Sequence, residues 1–229
     1  MVNEDFPAYR RPSSDEDFGS YLAGLIEGDG HFGVFNQIVI SFHLKDVRLA
    51  YWIKSTIGYG KVRLVPDKLA VSYYVGTREG VLKVLKLING KLRTTYKYNQ
   101  LLSNFNSSYT TDLLPLDTSL LISNYWLAGF IDADGSFQIK VLNRVNRLLP
   151  EIRLVLQIEQ KLPQILELIK TEFGGYMGYR KVLDTYYYHS VNFKVAYKFI
   201  IYLRTYHLLS YKYISYRRWA YVYLLIQKG

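Results

Sequence analysis

Leu22-Ala-Gly-Leu-Ile-Glu-Gly-Asp-Gly30 returns later in the chain as Leu127-Ala-Gly-Phe-Ile-Asp-Ala-Asp-Gly135. Each copy holds small residues, two acids and a closing glycine in one register. Tyr21–Asp29 and Trp126–Asp134 have helical character, and each closing glycine suits a left-handed C-terminal cap. Gly24 and Gly28 share one helix face, as do Gly129 and Ala133. Small residues at that spacing let two helices approach backbone to backbone, each copy serving as the other's partner. Side-by-side packing then brings the two C-terminal ends together, and with them Asp29 and Asp134. The duplicated motif is expected to build one composite site at a pseudo-twofold axis.

That placement is electrostatically poor. A carboxylate at a helix C-terminus meets the negative end of the macrodipole, at a cost on the order of 0.3–1 kcal/mol, and two such acids repel each other. A single acid there could cap a turn or face water. Two in matched positions call for a cation. Carboxylates and backbone carbonyls without His or Cys favour a hard divalent ion, Mg²⁺ foremost, which between paired acids most often serves phosphoryl chemistry.

The duplication extends beyond the motifs. His31-Phe-Gly-Val-Phe35 and Ile38–Asp46 precede a helical stretch at Val47–Ile57. Ser136–Val141 and Ile152–Gln160 precede another at Pro163–Phe173. Further strand pairs open at Gly58 and Gly174, and helices Gly80–Ile88, Tyr96–Phe105, Phe193–Leu203 and Tyr211–Ile226 close the two halves. Alternation of apolar and polar residues gives each sheet one buried row: Ile38, Ile40, Phe42 and Leu44 in one, Ile152, Leu154, Leu156 and Ile158 in the other. The expected class is α+β, two pseudo-symmetric αββαββα halves, each with a curved antiparallel four-stranded sheet. Their bounds are 18–105 and 123–229, with a polar linker at 106–122 and an arm without apolar periodicity at 1–17.

The 229 residues carry 29 Lys and Arg against 19 Asp and Glu, a net charge of +10, together with 23 Tyr and 11 Phe. Basic charge mixed with aromatics suits a polyanion. The absence of cysteine excludes disulfides, thiolate zinc sites and cysteine nucleophiles. His31, His43, His189 and His207 lack ligand spacing. No apolar run reaches the ~18 residues of a membrane span, and the first residues lack a signal-peptide pattern, so a soluble protein made where it acts is expected.

The paired motifs, as they stand, resemble those of the LAGLIDADG homing endonucleases in the single-chain, two-motif form, over roughly residues 18–226. The resemblance implies a monomer that cuts both strands of a long asymmetric double-stranded DNA site across the minor groove, leaving 3′ overhangs, with Mg²⁺ or another divalent ion such as Mn²⁺ or Ca²⁺. It implies metal ligation by Asp29 and Asp134, with the carbonyls of Gly28 and Ala133 as further ligands, and no metal role for Glu27 and Asp132. Aligning Phe42-His-Leu-Lys-Asp46 with Leu156-Gln-Ile-Glu-Gln160 puts Asp46 and Gln160 at the ends of the second strands, where the family orients water. Lys97 and Lys212 match the basic residue before each last helix.

The family fold makes each sheet a saddle in the major groove, with alternate residues reading bases. The candidates are Ser41, His43, Lys61 and Arg63 in the first half, and Gln138, Lys140, Arg144, Arg147, Arg153, Gln157 and Arg180 in the second. The first hairpin is short and carries few reading side chains, so the amino-terminal half is expected either to read its half-site less stringently or to lean on the arm at Arg10–Arg11. The resemblance favours an organelle genome, the mitochondrial one. Two rivals stand beside cleavage: a maturase binding its intron RNA, alone or bifunctionally, and a transcriptional DNA-binding protein that has lost cleavage. Retention of both motif acids and both lysines favours cleavage.

Overall fold

A computed structural model describes residues 7–143, 145 and 150–228. Arg144 and Arg147 lie outside the described residues. The chain forms two compact units, one of residues 11–133 and one combining residues 7–10 with 134–228. Each contains one four-stranded antiparallel sheet flanked by helices, the α+β architecture expected.

In the first unit, α1 (Asp15–Asp29) leads into β1 (Gly30–Gly33) and β2 (Gln37–His43). There follow α2 (Val47–Ile57), β3 (Lys61–Leu64), β4 (Ala70–Val75), α3 (Arg78–Ile88), α4 (Thr95–Asn104), the short α5 (Ser107–Thr110) and α6 (Trp126–Asp134). The sheet order is β1-β2-β4-β3. α1 starts inside the stretch expected as an arm. Ser14 Oγ accepts from the Asp17 N–H at 3.1 Å, and Asp15, Glu16 and Asp17 occupy the first turn. Capping and acids at the positive end of the dipole set this start, and neither leaves an apolar pattern.

The second unit repeats the order with β5 (Gly135–Leu142), β6 (Glu151–Gln160), α7 (Gln164–Phe173), β7 (Tyr176–Arg180), β8 (Thr185–His189), α8 (Phe193–Thr205) and α9 (Lys212–Lys228). Its sheet order is β5-β6-β8-β7. Matching tyrosines tie each sheet to the turn before its third strand. Tyr73 donates to the carbonyl of Tyr59, and Tyr188 to that of Gly174, both at 2.7 Å.

Alternation sorts the side chains as expected except at Leu44, half-buried in the 3-10 turn after β2, and Ile152, half-buried near the start of β6. Ile38, Ile40 and Phe42 on β2 and Val71, Tyr73 and Val75 on β4 are buried beneath the helices, as are Leu154, Leu156, Ile158 and Tyr188 in the second sheet. α2 ends at Gly58 in a left-handed conformation with φ +83°. The left-handed cap expected at the motif glycines is absent. Gly30 has φ −90° and ψ 163°, because the chain passes straight from helix to strand there. Glycine is required at that position for space, since a Cβ would stand 2.6 Å from the Ile26 carbonyl oxygen. Gly135 likewise opens β5 directly.

Candidate active site and nucleic-acid interface

The motif helices meet backbone to backbone. A Cβ on Gly24 would lie 1.9 Å from the carbonyl oxygen of Trp126, and one on Gly129 would lie 2.0 Å from that of Tyr21. Tyr21 and Trp126 hold the same position ahead of their motifs, so the contact is reciprocal. Gly19 makes a third close approach, a Cβ there falling 2.0 Å from the Leu87 carbonyl oxygen on α3.

The sixth-position acids cement this pairing. Glu27 accepts the Trp126 indole N–H at 2.6 Å, and Asp132 accepts the Tyr21 hydroxyl at 2.8 Å. Glu27 also accepts from the Arg93 and Thr94 backbone N–H groups, at 2.9 and 2.6 Å, and from the Thr94 hydroxyl at 2.7 Å. Burial pushes its carboxyl up to about 7 against the pull of these donors, first those of Thr94, then Arg93 and Trp126. Arg93 is itself paired with Asp117 at 2.7 Å. One buried acid therefore fixes both the entry of α6 and the loop entering α4.

The eighth-position acids stand at the helix ends. Asp29 is exposed, while Asp134 is half-buried and accepts the Gln160 side-chain amide at 2.6 Å. In the first unit Lys97 is buried and donates through Nζ to the carbonyl of Gly30, the residue after Asp29. Lys212 opens α9, its backbone N–H bonded to Ser210 Oγ at 3.1 Å. Among the described residues no cluster of three or more His, Cys, Asp or Glu occurs. The donors at the helix ends are carboxylates and the last carbonyls of α1 and α6, oxygen atoms that fit a hard cation.

Each sheet also has an open face, and the ladders show which residues share it. In the first sheet Ser41 pairs with Ser72, Arg63 with Ser72, Lys61 with Tyr74, and His43 with Ala70. The four expected readers thus lie on one side, with Arg63 over the Tyr74 ring at 5.8 Å. In the second sheet Gln138, Lys140, Arg153, Gln157 and Arg180 again share one face. Gln157 sits in a chain of bonds: its carbonyl oxygen meets Gln138 at 3.3 Å and His189 at 2.9 Å, and its amide donates to Glu159 at 2.6 Å. Glu159 in turn pairs with Arg180 at 2.5 Å. His189 is held below the usual histidine range by burial, then by Lys140 and Arg180.

A family model described as LAGLIDADG endonuclease matches residues 127–223. The uncharacterized cox1 intron-2 37.2 kDa protein of Schizosaccharomyces pombe is 49% identical, the match covering 100% of this chain and 72% of that protein. The chain belongs to the LAGLIDADG endonuclease family. The intron-encoded DNA endonuclease aI3 of Saccharomyces cerevisiae is 36% identical over 56% of this chain and 38% of its own length. The intron-encoded RNA maturase bI4 of the same yeast is 27% identical over 77% of this chain and 27% of its own length. The chain thus spans under half of these two relatives. Among solved structures, I-SmaMI bound to uncleaved DNA target in the presence of calcium ions has the same fold, with a TM-score of 0.69, 18% identity and 92% coverage of each chain.

Within this LAGLIDADG chain the two halves differ at one expected pair. Gly30 pairs with Ile40 and Gly135 with Ile158, so the residue matching Gln160 is Phe42, not Asp46. β2 ends at His43, and Asp46 is the last residue of a 3-10 turn at Leu44–Asp46 and the N-cap of α2. Asp46 is therefore not at a strand end. The register shifts because the first hairpin pairs four residues of β1, whereas the second pairs eight of β5. The first hairpin's brevity is thus a real asymmetry of the halves. The open faces also hold Glu159, expected there from strand alternation, and Tyr74, Tyr187 and His189, which were not among the expected readers. Their strand parity was the available signal, once Tyr73 and Tyr188 were recognised as the buried members of their runs.

Proposed function

We propose that the chain is a monomeric, metal-dependent homing endonuclease that hydrolyses both strands of a long asymmetric DNA site and leaves 3′ overhangs. One observation carries this reading. Two motif helices, packed through Gly24 and Gly129, each end in a carboxylate, and each half adds a lysine at the entry of a following helix. Asp29 with the Gly28 carbonyl, and Asp134 with the Ala133 carbonyl, would hold divalent cations, Mg²⁺ first among them. The bound ion supplies a lowered water pKa and stabilisation of the departing 3′ oxygen. Gln160 orients Asp134 by its amide. Lys97 and Lys212 offset negative charge developing at the scissile phosphates. The open sheet faces read the major groove through Lys61, Arg63, Gln138, Lys140, Gln157 and Arg180, and the net charge of +10 draws the phosphate backbone. The cox1 intron named for the similar Schizosaccharomyces pombe protein supports a mitochondrial intron as the coding site.

The test is to incubate the protein with a library of intronless duplexes and Mg²⁺ and to sequence the ends. Cleavage at one site by the parent, with Asp29→Asn and Asp134→Asn inactive, is expected. Absence of any cut duplex, or cleavage by both variants, contradicts the reading.

A second reading, maturase activity beside cleavage, draws on a separate feature. After Asp184 the chain contains no acid and seven Lys and Arg. On α8 and α9, Tyr197 and Tyr221 are exposed, and Tyr197 stacks on Tyr223 at 5.9 Å. Acid-free basic helices bearing exposed aromatic rings suit RNA, whose unpaired bases stack on such rings. Intron RNA binding that survives Asp29→Asn and Asp134→Asn would establish this second role. Loss of RNA binding together with DNA binding would remove it.

A further inference from the structure

The arm that precedes α1 has no place in the cleavage chemistry, yet residues 7–10 dock on the unit formed by 134–228. The Arg10 backbone N–H donates to His207 Nδ1 at 2.8 Å. The Tyr9 ring stacks on His207 with centroids 5.6 Å apart and meets the Tyr213 ring edge-on at 5.0 Å. His207 is buried, and its Nε2 faces the Arg204 carbonyl at 3.0 Å. That pairing assigns the proton to Nε2 and leaves Nδ1 as an acceptor for the arm. Burial, then the nearby Arg10 and Arg217 charges, holds the ring below the usual histidine range, against the bond to Arg204.

These contacts surround one short segment. His207 closes the turn after α8, Ser210 receives the Lys212 N–H, and the Tyr213 N–H bonds the Ser210 carbonyl at 3.1 Å. Lys212 therefore lies between an anchor at Ser210 and a ring at Tyr213, and the arm presses on that ring. A lysine offsetting charge at a phosphate must be held to within a fraction of an ångström, because its long side chain otherwise samples many rotamers.

We propose that the amino-terminal arm, through the Tyr9 ring and the Arg10 N–H, is a positioning element for Lys212 and so sets the cleavage rate of one DNA strand. This rests on the reading of Lys212 as a catalytic residue. Tyr9 acts through Tyr213 and His207, against which its ring packs. The arm thus differs from the base readers: it tunes one half-reaction and leaves target recognition unchanged.

The experiment is strand-resolved single-turnover cleavage of the target duplex, each strand carrying its own end label. Lys212→Ala first identifies the strand that depends on Lys212. Tyr9→Ala, and a chain lacking residues 1–10, are expected to slow that same strand tenfold or more, so that nicked product accumulates. Tyr9→Phe, which keeps the ring, is expected to restore the parental rate, and DNA affinity is expected to stay within twofold. The proposal is overturned if Tyr9→Ala slows both strands equally, slows neither, or acts only by weakening DNA binding. If Lys212→Ala itself changes neither strand, the catalytic reading of Lys212 fails with it. That pattern differs from an arm that has no effect while Lys212→Ala slows its strand.

Discussion

The indole N–H of Trp126 bonds the carboxylate of Glu27 at 2.6 Å. The same acid accepts the N–H groups of Arg93 and Thr94, so a residue of one motif anchors both the other motif and the loop that leads to Lys97. Asp132 answers from the second motif by accepting Tyr21 at 2.8 Å. The sixth position of each motif is thus a fastener, and the eighth stands at the helix end, where the proposed chemistry takes place. Two carboxylates two residues apart are separated in role by their surroundings, one buried and multiply hydrogen-bonded, the other at a helix end.

Glu27 predicts a pH dependence of stability. Its carboxyl lies at about 7 in the folded chain against 4.5 in its ordinary state. Between those values the folded state binds more protons than the unfolded one, so stability falls as pH rises through that window, by about 1 kcal/mol per unit at most. Urea unfolding across the window should show this slope in the parent. Glu27→Gln should flatten it, and an unchanged slope in that variant would assign it to another group.

Gly24→Ala and Gly129→Ala test the helix contact. Each methyl would enter the space of a backbone carbonyl, and backbone cannot swing aside as a side chain can. A loss of at least about 2 kcal/mol is expected for each, read as a lower urea midpoint. A shift below about 0.5 kcal/mol for either would show that the helices can part without cost.

Gln160 and Asp46 should behave differently. Gln160→Ala removes the amide that holds Asp134 and is expected to slow cleavage about tenfold, with little change in DNA affinity. Asp46→Ala changes a helix-start residue whose side chain caps no N–H of α2, and cleavage within threefold of the parent is expected. Equal losses in single-turnover rate for the two variants would restore the pairing expected from the sequence.

Much of the fold, and with it the placement of the candidate site residues, was legible in the chain. The motifs announced their helices because small residues and acids recur in register, and strand alternation sorted Arg63 and Gln157 onto the open faces. The bounds of α2 followed from its apolar spacing and Gly58. The position of Asp46 was not legible, since register depends on hairpin length, and the pattern Phe42–Asp46 reads equally well as strand or as turn. The role of Glu27 was hidden for another reason: its partners Arg93, Thr94 and Trp126 are distant in sequence, and no local pattern marks them. The arm's docking on His207 is equally long-range.

On the open faces, Arg63→Ala and Arg180→Ala should weaken DNA binding and lower its dependence on salt concentration, by about one counterion if the side chain meets a phosphate. If it reads a base, discrimination at one position should fall by about 1–3 kcal/mol instead. Arg180 is braced by Glu159 and Tyr187, so its loss should also loosen Gln157 and relax neighbouring positions. Affinity and specificity unchanged in both variants would place recognition elsewhere.

The central claim is that Asp29 and Asp134 carry the chemistry while Glu27 and Asp132 carry the structure. Its most direct test is the cleavage rate of Asp29→Asn and Asp134→Asn on the recovered site at saturating Mg²⁺, with urea stability and DNA affinity measured on the same preparations. Both variants should lose cleavage by at least about a thousandfold, keep the parent's stability and bind the duplex as tightly as the parent. Parental cleavage by either variant, or loss of activity that only follows unfolding, would contradict it.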